Sequence, residues 1–318
     1  MALAVFNSPE QWTARFGSGR RTVLSVGNFD GLHLGHQKIL RMVVDRARAT
    51  AQLPAVLTFD PHPVSVLRPD RAPRMIQTLA QRLAGFEQMG IEAALVLHFD
   101  PELSLLSPED FIQGILIDRL HIAAILVGAN FHFGHRGAGN VGLLAEFGGR
   151  HGFDVEIVAT VELDGQIVSS SAVRNAVAEG NVEGAIPLLG RPFALTGEIH
   201  PGAGRGRTIL IPTLNLAPEQ ELLPRQGVYA TQSVVRGSLY RSVTNIGTRP
   251  TFDGKGITVE SHLLDFNEMV TGDCMEVRFH KRLREERKFS GVEELRAQIA
   301  RDIEAAQEYF SASGIPRH

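Results

Sequence analysis

The sequence predicts an open parallel α/β sheet followed by an antiparallel β-barrel that ends on one helix. Three observations carry this expectation. Up to about Ala185, short apolar runs alternate with segments of helical period. From Arg191 onward, six strand-like runs follow one another across Gly, Pro and Asp turns, with no helix between them. The chain then closes on a single amphipathic period. Strands alternating with helices imply right-handed crossovers and a parallel sheet, whereas uninterrupted strands at this spacing imply a barrel or sandwich.

Taken in order, Thr22–Val26, Ala55–Phe59, Ala93–Phe99, Ile122–Val127 and Val155–Ala159 are expected as strands buried on both faces. Ile39, Leu40, Val43, Val44 and Ala47 form one helical stripe, and Leu79, Leu83 and Phe86 form another. A third helix is expected from Ser107-Pro108-Glu109-Asp110, which supplies a cap, a first-turn proline and acids near the positive helix end. Helical pieces at Val173–Ala178 and Val182–Leu189 precede the domain boundary, giving domains of residues 1–185 and 186–318. In the second, Phe193–Ile199, Ile209–Leu216, Val228–Val235, Leu239–Asn245, Ile257–Leu264 and Met275–Phe279 read as strands. The final helix, Val292–Tyr309, places Val292, Leu295, Ile299 and Ile303 on one face.

Composition narrows the function. A hydrophobic share of 43% across 318 residues excludes bulk disorder, because enough apolar surface is present to offset chain ordering. No run approaches the roughly 18 apolar residues of a membrane helix, and the N-terminus lacks a signal pattern, so a cytoplasmic protein without a membrane partner is expected. The single cysteine, Cys274, excludes a disulfide framework and a multi-cysteine metal site. After residue 190 there are 17 Lys+Arg against 16 Asp+Glu, and before it 15 against 19, so neither half has the basic excess of a nucleic-acid partner. None of the four lysines sits in a Walker pattern, so nucleotide chemistry here needs another phosphate cradle.

One such cradle is Gly27-Asn28-Phe29-Asp30-Gly31-Leu32-His33-Leu34-Gly35-His36. It follows the first predicted strand and opens the first helix, where glycine permits close approach and the helix end offers free N–H groups. His33 and His36 can both donate into that volume; the alternative is a loop with two exposed histidines, and a metal reading of the pair has little support. The second is Val168-Ser169-Ser170-Ser171-Ala172-Val173-Arg174, which is either a plain helix cap or an anion site with hydroxyl donors and a fixed positive charge. In the second half, Gly202-Ala203-Gly204-Arg205-Gly206-Arg207 leads through Thr208–Ile211 to Pro212-Thr213-Leu214-Asn215. Oxygen donors and backbone N–H groups gathered there suit a Mg²⁺–nucleotide complex, though such loops are also common surface turns. Glu260 interrupts an apolar alternating strand, as either a base at the barrel mouth or an ordinary outward charge.

The histidine turn and serine segment together resemble the nucleotidyltransferase superfamily related to class I aminoacyl-tRNA synthetases, whose sheet is Rossmann-like. With Thr58-Phe59-Asp60-Pro61-His62-Pro63 and Gly128-Ala129-Asn130-Phe131-His132-Phe133-Gly134, the first domain resembles the flavin-adenylating module of bacterial bifunctional riboflavin kinase/FAD synthetase. The order Gly-Arg, P-T-x-N, Asn245-Ile246-Gly247-Thr248-Arg249-Pro250-Thr251-Phe252 and Val259-Glu260-Ser261-His262-Leu263-Leu264-Asp265-Phe266 resembles the riboflavin kinase barrel.

That resemblance implies phosphorylation of riboflavin to FMN in the second domain and adenylylation of FMN to FAD in the first. It implies ATP as co-substrate and Mg²⁺ as cofactor. His33 and His36 would be catalytic and hold the ATP phosphates, with Gly27, Phe29, Asp30, Ser170 and Arg174 completing that ATP site. Asn130 and His62 would meet FMN, and Arg284 would help frame the flavin of the kinase. Gly206, Arg207, Thr213 and Asn215 would bind the kinase ATP, Thr213 and Asn215 would ligate Mg²⁺, and Glu260 would be the kinase base. Leu210, Leu214 and Thr271 depart from the family pattern, and Ser171 stands where threonine is more usual. The partners implied are riboflavin, FMN and ATP, together with weak homo-oligomerisation. Three alternatives stand beside this reading: an adenylyltransferase whose flavin-binding barrel is inactive, a different small-molecule nucleotidyltransferase with a regulatory barrel, and a non-catalytic flavin-storing or RNA-binding barrel protein.

Overall fold

The computed structural model describes residues 2–17, 19–200, 212–251, 254–266, 268 and 270–315, with backbone alone at 249–251, 254 and 255. Its contacts divide the chain into two compact units, Met1–Ser169 and Ser170–His318.

The first unit begins with a strand and helix that the periodicity does not announce. Strand β1 (Ala4–Phe6) is too short to carry a pattern, and helix α1 (Pro9–Phe16) is set by its ends: Ser8 accepts from the Gln11 N–H, Pro9 opens it, and Trp12 is buried. Then come β2 (Thr22–Val26), α2 (Leu34–Ala49), β3 (Leu53–Asp60), α3 (Pro63–Leu67), α4 (Leu79–Gln88), β4 (Ala93–His98) and β5 (Ile122–Gly128). Of the expected stripe on α2, Leu40, Val43, Val44 and Ala47 are buried and Ile39 is half-buried against the same cluster. The helix expected at Ser107 starts as α5 (Pro108–Asp110), capped by Ser107, but continues as a π-helical stretch, Phe111–Ile117, which buries Phe111, Ile112 and Leu116. The unit closes with α6 (Val141–His151), β6 (Asp154–Val158) and a small hairpin of β7 (Glu162–Leu163) and β8 (Gln166–Ile167).

Six strands form one all-parallel sheet in the order β1-β4-β3-β2-β5-β6. The chain leaves β2 toward β3 and β4 on one side, then returns to place β5 and β6 on the other. The strand order therefore reverses between β2 and β5, and the crevice outside their carboxyl ends is where such sheets bind ligands. One expectation is corrected here. β6 is not buried on both faces: it is the edge strand, and Ile157 is 56% exposed. An apolar run shows the same pattern whether its outer flank is covered or open.

In the second unit, α7 (Ser170–Ala178) and α8 (Val182–Leu189) precede six antiparallel strands. These are β9 (Phe193–His200), β10 (Leu214–Pro218), β11 (Gly227–Val235), β12 (Ser238–Thr251), β13 (Gly254–Leu263) and β14 (Cys274–Arg284). They close into a barrel in the order β10-β13-β12-β11-β14-β9. The expected strand start at Ile209 lies outside the described residues. β14 runs past the expected Phe279 to Arg284, because Lys281, Arg282 and Arg284 continue to pair with β11 across two register shifts that pass over His280 and Leu283.

The barrel interior is apolar on the wall made by β9 and β14, with Leu195, Val277 and Phe279 fully buried. Elsewhere it is a chain of hydroxyls: Thr231 bonds Ser242 at 2.8 Å and Thr244 at 2.7 Å, Ser233 bonds Ser242 at 2.9 Å, and Thr244 bonds Ser261 at 2.7 Å. All five are fully buried, so each hydroxyl needs these partners. The terminal helix α9 (Val292–Ala312) packs Ala306 and Phe310 against Val228, Ala230 and Val243 on the outer wall. Its fully buried stripe is Asp302, Ala306 and Phe310; of the expected face, Ile303 packs against the same cluster, Leu295 and Ile299 are half-buried, and Val292 is 41% exposed. Burial thus deepens toward the C-terminal half of the helix, which periodicity alone does not show.

Candidate active sites

The glycine-rich turn after β2 sits at the reversal of the sheet, and its conformation follows from its residues. Gly31 has φ +86°, and a Cβ there would stand 2.9 Å from Ile76. Phe29 and Leu32 also adopt positive φ and are buried, Phe29 edge-on to both Phe86 and His36. Leu32 inserts against α4 where that helix has Gly85; a Cβ there would lie 2.2 Å from Leu32 Cδ1. Asp30 is 1% exposed and accepts from the Ile76 N–H at 3.0 Å and the Gln77 N–H at 3.1 Å. The side chains of Phe29 and Asp30 thus build the turn from beneath.

His33 caps α2. Its Nδ1 accepts from the His36 N–H at 3.4 Å, and the two imidazoles stack with centroids 3.7 Å apart. A neutral ring that accepts at Nδ1 carries its proton on Nε2, so the cap leaves His33 with one N–H to donate elsewhere. Gly35 belongs to the same arrangement, because a Cβ there would meet the His33 ring at 3.1 Å.

The loop after β3 lies alongside. His62 caps α3, its Nδ1 accepting from the Val64 N–H at 3.2 Å, and its Nε2 is 3.0 Å from the Asn28 side chain. Beneath both loops lies Arg82, 2% exposed on α4. It donates to the carbonyls of Asn28 (3.0 Å) and Phe59 (3.3 Å), to Thr58 Oγ1 (3.2 Å) and to Asp60 (3.3 Å). Burial holds its pKa below the ordinary arginine value, opposed by Asp60 and Asp30. A buried guanidinium is tolerated only when hydrogen-bonded in this way. Sequence reasoning missed Arg82, although its position between Leu79 and Phe86, on the apolar stripe of α4, was a signal.

Asn130 is exposed on the loop that follows β5, across the reversal from the histidine turn. That loop is shaped by Gly134, at φ +69° and against Pro108, and by Gly139, where a Cβ would stand 2.7 Å from the Phe133 ring. The three loops that carry His33 and His36, His62, and Asn130 thus leave the carboxyl ends of three adjacent strands, β2, β3 and β5. Ser170 opens α7 and Arg174 lies one turn later, half-buried, both within the second unit.

In the barrel, cross-strand register brings together residues far apart in sequence. Asn215 on β10 stands opposite Glu260 on β13, which in turn stands opposite Asn245 on β12. Their neighbours Leu216, Val259, Ser261, Thr244 and Ile246 are buried inside, so by alternation Asn215, Glu260 and Asn245 share the outer side of the wall. The outward side is thus where Glu260 stands. Thr213 immediately precedes β10 and is exposed. His262, two residues beyond Glu260, has Nδ1 2.8 Å from the Pro212 carbonyl, and burial lowers its pKa. Leu214, one of the departures, stands opposite Ser261 on the inner side, away from this row.

Arg284 is engaged with α9: it makes a bidentate ion pair with the buried Asp302 at 2.8 and 2.7 Å, and Gln298 also donates to Asp302. Asp302 carried no sequence signal, since a lone acid on an amphipathic helix reads as surface. Gly206, Arg207 and Leu210 lie outside the described residues. No group of three or more His, Cys, Asp or Glu among the described residues forms a metal cage. The oxygen donors of Thr213 and Asn215 instead fit a hard cation, which binds through one or two protein ligands and substrate phosphates.

Residues 17–172 match the family model for FAD synthetase, and residues 189–310 that for riboflavin kinase. The chain is 36% identical over 289 residues to the bifunctional riboflavin kinase/FMN adenylyltransferase of Escherichia coli strain K12, covering 91% of this chain and 92% of that one. It is 37% identical over 297 residues to the protein of the same description from Bacillus subtilis strain 168, covering 92% and 93%. A crystal structure from Streptococcus pneumoniae, described as a macrolide-efflux protein, superimposes with a TM-score of 0.86 at 29% identity, covering 96% of this chain and 99% of that chain.

Proposed function

The chain belongs to the bifunctional riboflavin kinase/FMN adenylyltransferase family, and from that premise we propose how its residues divide the two reactions. It is an enzyme that phosphorylates riboflavin with ATP and adenylylates the resulting FMN to FAD. The functional division falls at residues 185 and 186, with FMN adenylylation before it and riboflavin phosphorylation after it.

The observation that supports the adenylyltransferase assignment is the convergence of three loops at the carboxyl ends of β2, β3 and β5. There His33 and His36 hold the ATP phosphates while the FMN phosphate attacks the α-phosphorus and pyrophosphate leaves. Gly27 keeps the main chain close to the nucleotide, and Phe29 and Asp30 contribute main chain, their side chains being buried. Ser170 and Arg174 bind the β- and γ-phosphates, and Asn130 and His62 meet FMN. No covalent intermediate is needed, because orientation and charge neutralisation lower the barrier.

In the barrel, Thr213 and Asn215 hold ATP, together with Gly206 and Arg207, and would hold Mg²⁺. Bound there, Mg²⁺ neutralises phosphate charge. Glu260 accepts the proton of the ribityl 5′-hydroxyl as that oxygen attacks the γ-phosphorus and ADP leaves. Arg284 frames the flavin side indirectly, by tying the end of β14 to α9. We place the protein in the cytoplasm, where ATP is supplied, and expect weak self-association, readable by sedimentation at increasing concentration. Among the described residues no helix is long and apolar enough to cross a membrane.

The test is to incubate the protein with ATP, Mg²⁺ and riboflavin, then separately with FMN, and to chromatograph the flavins. Both FMN and FAD are expected from riboflavin, and FAD from FMN. FAD from FMN without FMN from riboflavin would overturn the kinase assignment and favour an inactive flavin-binding barrel.

A further inference from the structure

The Pro212 carbonyl lies just outside the barrel's ladder, whose pairing on this strand starts at Leu214. Pro212 is exposed, so its carbonyl can take a donor from water or from a side chain. The His262 ring supplies it at 2.8 Å from Nδ1. Since a carbonyl only accepts, Nδ1 carries the proton, and a neutral ring then leaves Nε2 as an acceptor. Burial favours that neutral form.

His262 and Glu260 are two residues apart on β13 and so share one side of the wall. Asn215 faces Glu260 from β10, and Thr213 lies between Asn215 and the anchored carbonyl. One strand thus carries both the carboxylate and the anchor, while its neighbour carries the hydroxyl and the amide. We propose that His262 is a positioning residue of the kinase site, holding Pro212 so that Thr213 and Asn215 stand beside Glu260. Backbone pairing fixes Asn215 but ends before Thr213, and the imidazole extends the registration to the segment where the ladder stops. This rests on the reading of Thr213 and Asn215 as the groups that hold ATP.

The experiment is steady-state FMN formation by the full chain with ATP varied, alongside FAD formation from supplied FMN. His262→Ala is expected to raise KM for ATP about 10- to 100-fold, the usual effect of losing a group that orients a ligand-binding residue, with a smaller change in kcat. FAD formation should be unchanged. His262→Asn, whose amide N–H can occupy the place of Nδ1–H, should restore most of the lost KM. A wild-type KM in His262→Ala, or no rescue by asparagine, overturns the proposal. Glu260→Gln separates the two levels: if it still forms FMN, the underlying site reading fails. If it is inactive while His262→Ala binds ATP normally, only the positioning role falls.

Discussion

Asn215 and Glu260 stand directly opposite each other on neighbouring antiparallel strands, and Asn245 faces Glu260 from the other side. Opposed residues in such a ladder have Cα atoms roughly 4.5–5.5 Å apart, so the carboxylate is held between two amide-bearing strands. Glu260→Gln preserves size and hydrogen bonding but removes the ability to take a proton. FMN formation should fall by about 10²- to 10⁴-fold while FAD formation from supplied FMN persists, read by flavin chromatography. A glutamine variant that still phosphorylates riboflavin would remove Glu260 from the role of base.

The stacked pair His33 and His36 gives the opposite pattern. His36→Ala should lower FAD formation by about 10²- to 10³-fold, as loss of one preorganised donor does, and leave FMN accumulating from riboflavin. His33→Ala should do the same and also destabilise α2 by ~1 kcal/mol through loss of the cap. His33→Asn, a good cap, should recover the stability in urea unfolding but not the activity. Recovery of both would make His33 a cap and nothing more.

Arg82→Met keeps the length of the side chain and deletes the cation. The carbonyls of Asn28 and Phe59, the Thr58 hydroxyl and Asp60 then lose a shared donor. Destabilisation of roughly 3 kcal/mol is expected in urea unfolding of the first unit. KM for FMN should rise in the folded variant, since the loops bearing Asn28 and His62 are no longer tied. An unchanged unfolding midpoint would contradict this.

His280 gives a pH dependence in the barrel. It is 5% exposed, 2.9 Å from Gln232 Oε1 and edge-on to Phe310 of α9. Burial, helped by Arg278, lowers its pKa from 6.5 to about 4. The folded protein therefore resists a proton that the unfolded chain takes up below pH 6.5. Stability is unaffected above that value and falls as pH drops from 6.5 toward 4, by about 3 kcal/mol in all. His280→Gln should flatten that dependence in unfolding measurements at pH 7, 5.5 and 4.5. An equal slope in the variant would show that other groups carry it.

The parts legible in the sequence were those with a local physical signature. The helical stripe Leu40, Val43, Val44 and Ala47 and the strands around Leu24, Leu57 and Ile125 follow from period and burial. The glycines at 31 and 35 announce a turn: Gly31 has a positive φ, and a Cβ at either position would crowd Ile76 or the His33 ring. What escaped depends on pairing across distance. Strand order, the exposed flank of β6, the Arg284–Asp302 pair and the row Asn215–Glu260–Asn245 are set by neighbours that no window of sequence contains. β1 escaped for the other reason, being too short to show alternation.

The buried hydroxyls of Thr231, Ser233, Ser242, Thr244 and Ser261 also set the barrel's response to temperature. Unfolding such an interior wets polar as well as apolar groups, and the two change the heat capacity in opposite directions. Relative to a barrel filled with aliphatic side chains, this one should have a smaller heat-capacity increment and hence a flatter stability curve. Its affinity for its own fold would then vary less between cold and warm conditions than its size alone implies.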